Sequence, residues 1–222
     1  MQRVFIGMIF ELKEKRDKEL SDMYEKAMKE LDTFFKLNWK IDTPKIIIFK
    51  TRKEIDKFKK EKTPDWLVGW ADGNTIYLLD RKKFEKESSH KYSKESYFRL
   101  LKHELCHLFF ENVSGANTSN QFIWFNEGIA GFLSEQYLEQ QKPKKFVKFL
   151  NQYSSWKGDA YDESYYAVKI LGEKFGKQKL LETIKEIGAV KSEKEFNKLF
   201  KRIYGEAPTY GFFNKLLKGD KK

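Results

Sequence analysis

The stretch His103-Glu104-Leu105-Cys106-His107 contains two of the three histidines in this chain. An α-helix turns about 100° per residue, so positions four apart share a face. His103 and His107 can therefore direct both imidazoles at one metal ion. Glu104 projects beside them, where a carboxylate can take a proton from a metal-bound water. The pattern is H-E-x-x-H, and it predicts a zinc site on a helix.

The same pattern also occurs by chance in helices, where the histidines are ordinary core residues. The apolar side chains of this helix form one stripe, made of Tyr97, Leu101, Leu105 and Leu108. Both histidines lie just off that stripe, on the side of Leu100. Glu104 lies between them and the core. This arrangement favours a site at the edge of a core, opening to a cleft, over two buried structural histidines.

A zinc site of this kind needs a third protein ligand and leaves its fourth position for water. A histidine six residues after His107 is one option, but Val113 occupies that position. His90, the remaining histidine, lies in a charged run before the helix. The better candidate is Glu127, because its neighbours in the segment Trp124–Gly131 are too apolar for an exposed helix glutamate.

Small residues follow Glu127 in the sequence, namely Gly128, Ala130 and Gly131. They predict that this second helix approaches the histidine helix closely, as a glutamate ligand requires. Glu111, one turn beyond the second histidine, is a weaker alternative ligand and is more typical of a solvated helix end.

These residues resemble the gluzincin metallopeptidases, whose third zinc ligand is a glutamate on a second helix. The likeness is to the peptidase MA-like families and, more distantly, to the catalytic domain of the aminopeptidase N family. It rests on three blocks in order: His103–His107, Trp124–Ala130, and Tyr161–Ser164 with Leu171 and Gly176 after it. The resemblance covers roughly residues 65 to 185. It implies a zincin-like fold and one Zn²⁺ ion held by the two histidines and Glu127.

The resemblance also implies a zinc-dependent peptidase that uses a zinc-activated water. Glu104 would act as general base and then pass the proton to the leaving amine. Tyr161 would donate a hydrogen bond to the tetrahedral oxyanion. Tyr165 and Tyr166 are close rivals for that role, and ordinary aromatic packing is the alternative for Tyr161.

Two positions depart from the pattern of these families. Some gluzincins place, four residues after the glutamate ligand, an acid that hydrogen-bonds a zinc-ligand histidine, and this chain has Gly131 there. The segment Gly69–Asn74 stands where the aminopeptidase N family carries a Gly-x-Met-Glu-Asn stretch that grips the substrate amine. Asp72 could replace that glutamate, but it fits a turn better. Endopeptidase activity is therefore the default expectation.

The fold class predicted is α+β and zincin-like. A small N-terminal α/β lobe, residues 1–95, precedes a mainly helical lobe, residues 96–222, with the active site at their junction. Strands are predicted at Val4–Phe10, Ile46–Phe49, Trp66–Trp70 and Thr75–Leu79. The last two form a hairpin around Gly73. Thr75–Leu79 is predicted to be the edge strand along which a peptide or protein substrate pairs.

Helical periodicity marks most of the remaining chain. The predicted helices are Leu12–Leu37, Glu54–Lys60, Ser96 to about Asn112, one around Glu127, Pro143–Tyr153, Asp162–Phe175, Lys177–Ile187, Glu193–Tyr204 and a last short segment. Cys106 lies about 100° from His107 around its helix and is expected to pack in the core rather than bind metal.

The net charge of +11 comes from lysines interleaved with glutamates along helix faces, which is typical of a solvated surface and argues against nucleic-acid binding. One cysteine excludes an internal disulfide and fits a reducing compartment. Val4–Phe10 is too short for a signal peptide or a membrane span, so a cytoplasmic protein is expected. The sequence indicates neither the oligomeric state nor the cleavage specificity.

Two alternative functions stay open. One is an ImmA/IrrE-like regulatory protease that cleaves a specific partner, and the Tyr161 block argues against it. The other is a non-catalytic binding module that keeps the zincin fold. The intact Glu104 argues against that module, because a scaffold has no need of a general base.

Overall fold

The computed structural model describes residues 17–115, 121–153 and 161–219. Within these ranges the fold is mixed α and β, mostly helical, with one small sheet, as the α+β prediction requires. The strands are β1 (Lys45–Phe49), β2 (Gly69–Asp72) and β3 (Thr75–Leu79). The helices are α1 (Lys18–Phe35), α2 (Arg52–Lys59), α3 (Phe84–Glu87), α4 (Lys94–Ser114), α5 (Ile123–Leu133), α6 (Tyr161–Phe175), α7 (Lys177–Ile187), α8 (Glu193–Tyr204) and α9 (Tyr210–Gly219). Short 3₁₀ turns lie at Arg81–Lys83, Gln136–Glu139 and Phe149–Asn151.

Helix α4, which carries the H-E-x-x-H pattern, has a clear start and a clear stop. The Ser93 side chain accepts from the Ser96 backbone N–H at 2.9 Å, and the Ser96 hydroxyl accepts from the Ser93 N–H, so the two form a capping box. At the other end Gly115 has φ 64°, a left-handed conformation that glycine adopts without strain. The pattern therefore lies inside one uninterrupted helix.

The sheet has the order β1-β3-β2, so β3 is its central strand. β1 pairs with β3 in parallel, and β2 pairs with β3 antiparallel across the turn at Gly73. The hairpin is therefore confirmed, but the prediction that Thr75–Leu79 is an edge strand is wrong. The hydrogen bonds of β3 are used on both sides, and its side chains Ile76, Leu78 and Leu79 are fully buried. The edge on the α4 side of the sheet is β2.

The sheet packs one face against α4. A side chain at Gly69 of β2 would place its Cβ 2.9 Å from the Leu78 side chain and 3.2 Å from that of Leu100 of α4, so both leucines would have to shift to admit it. Helix α1 packs against α4 through a buried row at four-residue intervals, made of Met23, Ala27, Leu31 and Phe35. Helix α5 also packs against α4. These contacts bury α4 over most of its circumference. The residues on either side of the two histidines, from Leu100 to Phe110, are almost all buried.

The predicted helix at Pro143–Tyr153 is wrong, because the segment contains only the 3₁₀ turn Phe149–Asn151. The buried carboxylate of Glu163 on α6 accepts the backbone N–H groups of Val147, Lys148 and Phe149 at 2.7–3.1 Å. Backbone N–H groups that donate to a carboxylate 14–16 residues away in sequence cannot also form the i→i−4 hydrogen bonds of a regular helix. We call this arrangement the Glu163 clamp.

The other predicted elements differ from the structure mainly at their ends. The helices Lys177–Ile187 and Glu193–Tyr204 are confirmed residue for residue. Strand β2 begins at Gly69 rather than Trp66. The predicted strand Val4–Phe10 lies outside the described residues, and the division into lobes 1–95 and 96–222 stays a prediction. None of the helices in the described ranges is both long and apolar enough to cross a lipid bilayer.

Candidate metal centre

Two helices bring His103, His107 and Glu127 together. The Nε2 atoms of the two histidines on α4 are 3.0 Å apart. The Glu127 carboxylate on α5 reaches both rings, with Oε2 3.3 Å from Nε2 of His103 and Oε1 3.5 Å from Nε2 of His107. The three side chains are only 8%, 16% and 13% exposed, in the order His103, His107, Glu127. Within the described residues this is the one group of three or more His, Cys, Asp or Glu side chains close enough to share an ion.

The other residues considered as ligands lie elsewhere. The His90 ring is exposed and contacts the backbone oxygen of Trp66 at 2.9 Å. Cys106 is buried in the core and outside the metal-capable group, as the sequence predicts, and burial raises the pKa of its thiol. Glu111 also lies outside the group, but it is half-buried rather than the solvated helix end expected from the sequence. Burial, the largest effect, raises the pKa of Glu111.

The spacing of the three side chains is close to what a tetrahedral zinc ion requires. Zinc binds nitrogen and oxygen at about 2.0–2.2 Å, so two ligand atoms of a tetrahedral site are about 3.3–3.5 Å apart. The two histidine nitrogens are 3.0 Å apart, and each lies 3.3 or 3.5 Å from a different oxygen of Glu127; one ligand atom from each residue falls within 4.8 Å of the other two. A small rotation of the Glu127 carboxylate would bring one oxygen to both histidines, as an ion shared by the three residues requires.

The proton arrangement on His107 also fits a metal ligand. Its Nδ1 lies 3.0 Å from Oδ1 of Asn126, an oxygen that can only accept. With the amide in this orientation Nδ1 carries a ring proton, which leaves Nε2, the nitrogen nearer Glu127, as the one that can bind a metal. Donation of the outer N–H to a supporting oxygen is typical of metal-bound histidine.

The charges of the three residues depend on one another. Burial acts to raise the pKa of Glu127, but the two histidines outweigh it and the net direction is downward. Burial acts to lower the pKa of His103, yet Glu127, Glu104 and Gln136 together raise it. Glu127 is therefore favoured as an anion, and without a metal it favours a proton on His103. Metal binding must displace that proton.

Glu104 is buried beside this group and faces strand β2. Burial raises the pKa of its carboxyl, an effect that the two histidines oppose. The backbone N–H of Ala71 in β2 also acts on this carboxylate and lowers its pKa. Because the Leu79 N–H donates to the Val68 oxygen at 2.9 Å, alternation along the ladder turns the backbone groups of Gly69 and Ala71 outward. The outer edge of β2 therefore borders Glu104.

The glycines of α5 serve a contact that the sequence did not predict. A Cβ at Gly128 would lie 2.4 Å from Val168 and 2.7 Å from the backbone oxygen of Ser164, and one at Gly131 would lie 2.1 Å from the Tyr165 ring. All three neighbours are on α6. The sequence led us to expect that these two glycines admit the histidine helix, but their nearest contacts are with α6. They bring α6, with its tyrosines, up to the site.

Of the three candidate tyrosines, Tyr161 is the first residue of α6. Burial and then the charges of Glu127 and Glu104 raise its pKa, so its phenol lies within electrostatic reach of both carboxylates. The hydroxyls of the other two candidates, Tyr165 and Tyr166, form hydrogen bonds with the segment that follows α5. Tyr165 donates to Oε1 of Gln136 at 3.3 Å, and Tyr166 donates to the backbone oxygen of Gln140 at 3.2 Å.

Sequence reasoning missed two polar residues near the histidines, Asn126 and Gln136. Asn126 directly precedes Glu127 and is a buried amide in an otherwise apolar helix, which is a signal that could have been read. Gln136 lies in the 3₁₀ turn after α5, and nothing in the local sequence distinguishes it.

No protein-family model, curated protein or solved structure gives a significant match to this chain. The likeness to gluzincins therefore depends on the three sequence blocks and on the geometry described above.

Proposed function

We propose that this protein is a zinc-dependent metallopeptidase with a zincin-like fold. The observation that carries the proposal is the convergence of His103, His107 and Glu127, from two helices, at separations of 3.0–3.5 Å. A buried carboxylate, Glu104, adjoins this group on the same helix. A purely structural metal site is normally closed by four protein ligands, whereas three protein ligands are typical of a catalytic one.

A zinc ion held by these residues would polarise a peptide carbonyl and lower the pKa of water towards neutrality. Glu104 lies where it can accept a proton and return it to the leaving amine, and its raised pKa suits both steps. Tyr161 would donate a hydrogen bond to the oxygen of the scissile carbonyl as negative charge develops there. Asn126 would keep His107 in the tautomer that binds metal.

We place the substrate along β2 rather than along Thr75–Leu79. The central strand β3 has partners on both sides, while β2 turns the backbone groups of Gly69 and Ala71 outward beside Glu104. An extended peptide that pairs with this edge would be recognised mainly through its backbone. Such binding brings a peptide bond to the general base without a deep side-chain pocket.

The zinc content of the purified protein tests the proposal. Elemental mass spectrometry is expected to find about one zinc ion per chain in the wild type and far less in Glu127→Ala purified in the same way. Loss of a direct ligand should weaken binding beyond the roughly 10–100-fold that follows loss of a group supporting a ligand. Glu111→Ala is the matched control, because this half-buried acid on α4 lies outside the group. A wild-type protein that lacks zinc and takes up none when it is added would overturn the proposal.

Replacement of Tyr161 by Phe tests the oxyanion role. We expect kcat to fall on the order of 100-fold with little change in KM, since one such donor typically contributes about 3 kcal/mol in the transition state. Assays of peptide hydrolysis at saturating zinc measure both constants. Tyr166→Phe is the control, because its hydroxyl is bonded to the Gln140 backbone. An equal fall in kcat in this control, or none in Tyr161→Phe, would show that Tyr161 is not the donor.

A further inference from the structure

The two histidines of the site differ in how their outer nitrogens are satisfied. Nδ1 of His107 meets the Asn126 oxygen at 3.0 Å. Nδ1 of His103 is buried and has no partner at full hydrogen-bond geometry among the described residues. A buried donor without an acceptor destabilises the folded state. A histidine that binds metal through Nε2 also needs an acceptor at Nδ1 to fix its tautomer and ring orientation.

Helix α5 cannot supply this acceptor one turn after Glu127. That position is Gly131, where a Cβ would lie 2.1 Å from the Tyr165 ring. The ring fills the space a side chain would need, and its centre is 6.0 Å from that of His103. Tyr165 is itself buried, so it separates this part of α5 from solvent.

The turn that follows α5 offers a candidate acceptor, Gln136. Oε1 of Gln136 accepts the Tyr165 hydroxyl at 3.3 Å, which holds the carboxamide beside the ring that packs on His103. A side-chain hydrogen bond from His103 to Gln136 also raises the pKa of His103. This effect is smaller than those of burial, Glu127 and Glu104. A carboxamide oxygen has two lone pairs, so it can accept from Tyr165 and from Nδ1 of His103 together.

We propose that Gln136, held by Tyr165, is the positioning residue that accepts the Nδ1 proton of His103 and sets this histidine for metal binding. The inference rests on the proposed zinc site and adds to it the two residues that support its first ligand. Asn126 and Gln136 would then do the same for the two histidines from opposite ends of α5.

Zinc affinity, measured by competition with a chromogenic chelator, tests the inference on the whole chain. Gln136→Ala is expected to bind zinc about 10–100-fold more weakly than the wild type. Gln136→Glu is expected to restore or exceed the wild-type affinity, because a carboxylate is a stronger acceptor for the same proton. Asn126→Ala serves as the matched variant at the other histidine and should lose affinity to a similar degree. Thermal unfolding of each zinc-free variant checks that the fold is intact.

A second measurement separates positioning from a structural role. Long-range ¹H–¹⁵N spectra of the zinc-loaded wild type should show a slowly exchanging Nδ1 proton on His103. The signal should move downfield in Gln136→Glu and disappear in Gln136→Ala, while the Nδ1 signal of His107 stays. Unchanged zinc affinity in Gln136→Ala, or an unchanged His103 signal despite weaker binding, would overturn this inference alone. A wild-type chain that binds no zinc would instead overturn the proposed function.

Discussion

Glu104→Gln is expected to abolish peptide hydrolysis while the zinc content stays at about one ion per chain. The substitution keeps the size of the side chain and its place beside Ala71, but an amide cannot take up and return a proton. General acid–base catalysis contributes on the order of 10²–10⁴-fold to rate, so kcat/KM should fall by at least that range. Glu104 is not among the three converging ligands, which is why zinc should be retained.

The hydrolysis assay needs a broad substrate, such as a fluorogenic peptide library or a denatured protein digested and analysed by mass spectrometry. Glu111→Gln is the control, because it makes the same change one turn beyond His107 on the same helix. Hydrolysis retained in Glu104→Gln would exclude Glu104 as the base. Loss of zinc in this variant would show that the residue also holds the metal, contrary to the ligand set proposed.

Gly128→Ala is expected to destabilise the protein by about 2–3 kcal/mol, because overpacking of a tight contact typically costs about 1–3 kcal/mol and here part of the contact is backbone. The new Cβ would lie 2.4 Å from Val168 and 2.7 Å from the Ser164 carbonyl oxygen. The Ser164 oxygen belongs to the backbone of α6 and cannot swing aside, so α5 and α6 must move apart. Urea unfolding of the zinc-free protein measures the loss.

The matched control is Gly211→Ala in α9. Its added Cβ meets only Thr209 Oγ1, at 3.7 Å, and alanine favours helix over glycine by up to about 1 kcal/mol. This variant should be as stable as the wild type or slightly more stable. Equal unfolding midpoints for the two variants would contradict the close contact between α5 and α6.

The parts of this protein that follow from local spacing could be predicted from sequence. Two histidines four residues apart share a helix face wherever the helix lies, so the structure places His103 and His107 together as expected. Glu127 joins them because it is the acid of an otherwise apolar helix, and such a residue must face a buried polar site. The helices α7 and α8 follow from amphipathic periodicity in the same way.

The parts of the structure that depend on contacts between residues far apart in the chain could not be predicted from the sequence. Whether Thr75–Leu79 is central or at the edge is decided by the parallel pairing with Lys45–Phe49, which no pattern inside either strand reveals. The direction in which Gly128 and Gly131 face depends on α6. Pro143–Tyr153 has a helical pattern in sequence. Three of its backbone N–H groups donate instead to the Glu163 carboxylate, which lies on α6. The acceptors for the two histidines are equally a matter of tertiary contact.

The Glu163 clamp holds the start of α6, which carries Tyr161, before any substrate binds. Glu163 lies two residues after Tyr161 in the first turns of α6, and three backbone amides of the segment 147–149 fix its carboxylate. Release of that segment would leave a buried negative charge without donors, a cost of several kcal/mol. These bonds restrain the start of α6 whether or not a peptide is present. If Tyr161 stabilises the transition state, part of the ordering of its backbone is achieved during folding and is not repeated at each turnover.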